Sequence, residues 1–211
     1  MKSNDSHVDR LRTDILNGVF APGERLIEIE LAERYSCGRG AIRAALVQLE
    51  SEALVDRKAN RGAVVHRIGV PEAIEITEAR AALESLIAAR AARNATREDA
   101  VTLRQIIDDM GIAVTADDAA RYSQLNRRLH ETVQNMSGHD VAHGLVANLR
   151  NRGLQNQFRL SMMPGRQEVS LKQHTAIVEA VISGDQEGAA SAMSEHLSSV
   201  IEVLERWSGG S

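Results

Sequence analysis

Four residues in the second half of the chain have the types and spacing to hold a divalent metal ion. Asn126 and His130, within LNRRLHETV, stand four apart and would share one face of a helix. His174, within LKQHTAIVEAVISGD, and His196, within AMSEHLSSV, fall on two later segments of helical character. An amide oxygen and three imidazoles suit zinc, with nickel or manganese as alternatives, and leave room for water or a ligand. Spacing alone leaves a second reading open, in which each histidine is separately satisfied in the core or at the surface. His139 and His143 repeat the four-residue spacing just after Ser137-Gly138 and are read as surface, while His7 and His66 have no evident partner. Arg80 brings different chemistry. Within an Ala- and Leu-rich stretch, its planar guanidinium could grip a carboxylate with two bonds, or pair with Glu84 one helical turn on. Arg152, Arg159 and Ser170 are weaker candidates for contact with the same kind of ligand.

A second group lies near the N-terminus. Arg39 and Arg43 are four apart at the start of an apolar-periodic segment, where arginines can reach guanine edges in a major groove. Lys58 and Arg61 follow in a short basic connection, suited to phosphates or the minor groove, and Gly62 permits close backbone approach. Taken singly, these are ordinary solvated side chains. In sequence they form helix, turn, helix and basic hairpin, which favours DNA contact.

The elements that must position these residues are mostly α-helical. Residues 1–67 read as a winged helix-turn-helix: helices over about 5–18, 28–35 and 39–52, then short β-runs at Leu54–Arg57 and Ala63–His66. Residues 71–207 read as an antiparallel six-helix bundle, with helices over about 71–93, 97–115, 117–136, 139–160, 167–183 and 186–207. The breaks fall at Asn94-Ala95-Thr96, Thr115-Ala116-Asp117, Ser137-Gly138, Met163-Pro164-Gly165 and Ser183-Gly184-Asp185.

Composition limits the function classes. One cysteine, Cys37, excludes an internal disulfide framework and suits a reducing compartment. No apolar run is long enough to span a membrane, and MKSNDSHVDR is too polar for a signal peptide, so a cytoplasmic location is expected. The net charge of −4 argues against a nucleic-acid partner until it is divided. Residues 1–68 carry 11 Lys+Arg against 10 Asp+Glu, and the remainder 14 against 19, so the acidic excess belongs to the bundle.

Three pieces, LRTDILNGVFAPGERLIEIELAERY, GRGAIRAALVQLESEALV and RGAVV, resemble the GntR family of bacterial transcription regulators. The resemblance implies that Arg39 and Arg43 read an operator, with Gly62 at the wing tip. Cys37-Gly38 and Gly40-Ala41 stand where the family commonly has valine-serine and threonine-proline, so the usual serine cap of the recognition helix is missing. Cys37 is read as a packed thiol. The second half, through EARAALES, LNRRLHETVQNMSG and QHTAIVEAVISGDQEGAASAMSEHL, resembles the FCD effector domain of the FadR-like branch, and six helices suggest its VanR-like subgroup. That likeness implies a metal held by Asn126, His130, His174 and His196, and an Arg80 that points into the effector site. The expected protein is a homodimeric regulator, a repressor by the commoner logic, that binds double-stranded operator DNA and a small carboxylate effector. The alternatives are a metal-dependent hydrolase and a regulator that senses an acyl ligand without metal.

Overall fold

The computed structural model describes residues 3–16, 18–57, 62–161, 163 and 165–208. The chain divides into two compact units, Met1–Gly69 with Arg150–Gln155, and Val70–Leu149 with Asn156–Ser211. The first contains α1 (Ser3–Leu16), β1 (Arg25–Leu26), α2 (Glu28–Arg34), α3 (Arg39–Ser51), β2 (Val55–Arg57) and β3 (Ala63–Val65). Apolar residues at helical spacing meet in one core: Leu11 and Ile15 of α1, Leu31 of α2, and Ile42, Ala45, Leu46 and Leu49 of α3. Arg12 crosses from α1 to the end of α3 and grips Glu52 with two bonds of 2.7 Å. Tyr35 donates to Asp14 at 2.6 Å and ties the end of α2 to α1.

The wing is a three-stranded antiparallel sheet in the order β1-β3-β2, not the two-stranded hairpin expected. β1 has only two residues, too short to show any alternation. It is held because Leu26 is buried and because β3 needs a partner on its second edge, Arg25 facing Val64 and Leu26 facing Ala63. Gly62 enters β3 at φ +77°, and a Cβ there would overlap the carbonyl oxygen of Leu26. Glycine is thus required by both backbone angle and space.

The second unit contains α4 (Val70–Asn94), α5 (Arg97–Thr115), α6 (Ala119–Ser137), α7 (Asp140–Ser161), α8 (Arg166–Ser183) and α9 (Gln186–Ser208). These are the six helices of the expected bundle, and no strand occurs there among the described residues. The helix limits have local causes. Thr96 and Asp99 form a reciprocal capping box at the start of α5, and Gly138 and Gly184 end α6 and α8 in the left-handed conformation. α6 begins at residue 119 rather than 117 because Asp117 has φ +52° and Asp118 caps the backbone N–H of Arg121. Ile87, Leu103, Ile106, Met110, Leu129, Val133 and Ile177 fill the core, and α4 packs most extensively against α9. Among the described residues, no helix is long and apolar enough to cross a membrane.

Replacing Gly62 with Ala is expected to destabilise the N-terminal unit by about 2 kcal/mol, the scale of a forced left-handed residue. Urea unfolding of the wild-type and variant chains measures this. An unshifted transition would show that the wing tip relaxes around the added methyl.

Candidate functional site

His130 on α6, His174 on α8 and His196 on α9 come together inside the bundle. They are 2%, 1% and 6% exposed, and one nitrogen from each lies within 4.8 Å of the others. The ring centroids stand 5.4 Å apart for His130–His174, 5.6 Å for His130–His196 and 4.4 Å for His174–His196. His139 and His143 are outside the cluster. They are half-buried rather than at the surface, and the His139 ring accepts the Ala142 backbone N–H. His66, for which no partner was expected, bonds Asp56 at 2.8 Å.

Each clustered imidazole is oriented by a bond at Nδ1. His130 Nδ1 donates to Glu84 Oε2 at 2.9 Å, and His196 Nδ1 donates to Gln173 Oε1 at 3.0 Å. An acceptor oxygen at Nδ1 places the proton there and leaves a lone pair on Nε2. His174 Nδ1 lies 3.3 Å from the Tyr122 hydroxyl, which also bonds buried Ser170. Burial and then the neighbouring His130 push His196 well below the ordinary imidazole range, so this ring is neutral at neutral pH. One turn before His130 on α6, the Asn126 amide Oδ1 is buried without a hydrogen-bond partner among the described residues. A neutral His196, two further imidazoles and an unsatisfied amide oxygen suit a divalent ion, so the residues fit the metal that the FCD resemblance implies.

Glu84, expected only as a partner for Arg80, joins two groups. Its Oε1 accepts from Arg80 Nε at 2.8 Å, its Oε2 accepts from His130, and both ionic side chains are buried. Arg80 therefore sits in a fixed pair one helical turn along α4. Tyr122, Gln173 and Glu84 were not among the candidate site residues, because their roles depend on cross-helix packing that no spacing reveals. The side chains of Arg152 and Arg159 lie outside the described residues.

In the N-terminal unit, Arg39 and Arg43 are exposed at the start of α3. Glu28, in the first turn of α2, receives Arg43 through a two-bond fork of 3.1 and 2.9 Å and lies 3.9 Å from Arg39. The Arg43 hydrogen bond, more than any other contact, holds the Glu28 carboxyl below its usual range. Arg25, Ile27, Glu28, Arg39, Arg43 and Gly62 line one open cleft, bringing the wing tip beside the recognition helix. Gly38 occupies the cap position of α3 and provides no side-chain cap, and Cys37 packs partly buried against the core. Lys58 and Arg61 lie outside the described residues.

Glu84→Gln is expected to cost about 3 kcal/mol, because it leaves the Arg80 charge buried without its carboxylate. Chemical denaturation of the metal-free chain reads this directly. A variant as stable as wild type would remove Glu84 as an organiser of the site.

Residues 5–65 match the bacterial regulatory proteins of the gntR family, and residues 75–199 match the FCD domain. The HTH-type transcriptional repressor RspR of Escherichia coli is 26% identical over 194 residues, covering 92% of this chain and 85% of the repressor. The gluconate operon transcriptional repressor of Bacillus licheniformis is 31% identical over 140 residues, 66% of this chain and 57% of that one. Among solved structures, E. coli McbR/YncC superposes with a TM-score of 0.80 at 21% identity, covering 98% of this chain and 99% of that one. The hydrolase alternative falls with these matches, since the family consists of DNA-binding regulators rather than enzymes. The chain belongs to the GntR family of bacterial transcription regulators and joins its winged helix-turn-helix to an FCD domain.

Proposed function

We propose that the chain is a cytoplasmic, homodimeric, metabolite-responsive repressor of the VanR-like subgroup. Residues 1–67 bind the operator, and residues 71–207 sense a small carboxylate and dimerise. In the DNA half, Arg39 and Arg43 read base edges, while Lys58, Arg61 and the Gly62 tip meet the backbone or minor groove. Glu28 holds the Arg43 guanidinium in one orientation before DNA arrives, which reduces the side-chain entropy lost on binding.

The observation that carries the sensing half is the convergence of three oriented, buried histidines around one point. Asn126, His130, His174 and His196 would hold zinc, or nickel or manganese. A bound divalent ion would supply the positive centre that draws in an anionic effector. With Asn126 in place of a carboxylate, the donor set is neutral and the ion's charge is left to the effector. Arg80 would contact that anion only by giving up Glu84. Ser170, bonded to Tyr122, and the positions of Arg152 and Arg159 complete the proposed effector set. The gluconate operon named for one relative supports a small hydroxy-carboxylate as the effector class. The effector shifts DNA binding only as far as it binds the two states of the protein differently.

Two-fold symmetry of the dimer calls for a palindromic site. Duplexes enriched from a random pool by the wild-type chain supply the operator. On these, Arg43→Ala is expected to weaken binding about tenfold to a hundredfold, the scale of one base-reading arginine. The bundle should remain folded. Unchanged affinity at physiological salt would contradict the DNA-reading assignment.

A further inference from the structure

Which group neutralises an incoming carboxylate is a separate question from what holds the metal. Arg80 is already committed. It lies 2.8 Å from Glu84 Oε1 inside the bundle, and the other Glu84 oxygen serves His130. Drawing Arg80 away would leave a buried carboxylate short of a partner, a cost the effector would have to offset.

A second guanidinium has no such commitment. Arg166 opens α8, is half-buried, and donates through Nη2 to Ser199 Oγ at 3.0 Å. Ser199 Oγ lies 3.1 Å from Gln173 Oε1, the same oxygen that accepts from His196 Nδ1. Arg166 is therefore joined to the histidine cluster through Ser199 and Gln173. Its charge also reaches Tyr122, whose hydroxyl meets His174. Among the described residues it makes no ion pair, and the Glu202 carboxylate of α9 acts on it only at longer range. Burial lowers the pKa of the group and outweighs the opposing pull of Tyr122 and of the Glu202 carboxylate. A guanidinium has five N–H donors in a planar fork that matches a carboxylate, and a neutral hydroxyl is a poor substitute for one.

We propose that Arg166 is the anion anchor of the sensing site and holds the effector's carboxylate beside the three histidines, while Arg80 stays paired with Glu84. This rests on the effector-sensing reading above, but it does not require that the metal be zinc. The neighbouring Tyr122, Ser170 and Ser199 hydroxyls suit a small carboxylate that also carries hydroxyl groups.

The test uses the 211-residue chain loaded with zinc and titrated with D-gluconate. Trifluoroacetate, followed by fluorine NMR, serves as a carboxylate needing no further recognition. Arg166→Gln is expected to weaken both by about tenfold or more, with metal content and melting temperature unchanged. Arg166→Lys should lose less, since it keeps the charge but not the fork, and it decides the matter if the Gln variant folds poorly. Unchanged binding in Arg166→Gln overturns the proposal, as does loss confined to Arg80→Gln. A wild-type chain that holds metal but shows no saturable binding of either anion overturns it too. A chain that takes up no metal while Arg166 still governs anion binding defeats the metal reading and leaves the anchor standing.

Discussion

The bundle's chemistry depends on one buried carboxylate. Glu84 is 1% exposed, and charge at that depth is tolerated only when both oxygens are answered. Arg80 answers one and His130 the other. The second bond sets the His130 tautomer and so decides which ring nitrogen can act as a donor to a metal. Glu84 lies on α4 and His130 on α6, so a polar contact also fixes how those helices pair. Structural and functional demands meet in the same three side chains.

The other two imidazoles are held by uncharged partners, Gln173 for His196 and Tyr122 for His174. Neutral holders leave the donor set without negative charge beyond Glu84, whose charge is already matched by Arg80. A site of this composition has more affinity for an anion than one built on a ligating carboxylate. The N-terminal unit uses the same device at its surface. Glu28 grips Arg43 and stands near Arg39, so the groups that would face DNA are pre-oriented by an acid that itself repels phosphate. In the proposed complex, operator binding would have to outcompete that fork, which would favour sequences able to offer Arg43 two acceptors of comparable geometry.

Much of this was legible in the chain before folding. Most helices among the described residues carry apolar periodicity, and several of their ends coincide with Gly, Asp or Thr, whose local chemistry stops or caps a helix. Relations within one helix were readable too, such as Arg80 with Glu84 and Asn126 with His130, because four residues make one turn. Relations across helices were not. Nothing in the spacing distinguishes His130, which converges with two others, from His139 and His143, which do not. The resemblance to the FCD domain made that distinction, and packing gives its physical reason. β1 escaped notice because two residues show no alternation, and Glu28 because an acid in a first helical turn normally reads as a dipole partner. Arg166 carried no sequence signal, since its significance lies in a cross-helix bond to Ser199 and in making no ion pair among the described residues.

The central claim is that three oriented histidines and Asn126 form one metal site. Metal content per chain after exhaustive dialysis, for the wild-type protein and for His130→Ala, His174→Ala and His196→Ala, tests it most directly. The account predicts about one divalent ion per wild-type chain and a marked loss in every variant, as expected when a ligand is removed from a four-donor site. Metal retained at the wild-type level in all three variants would contradict it.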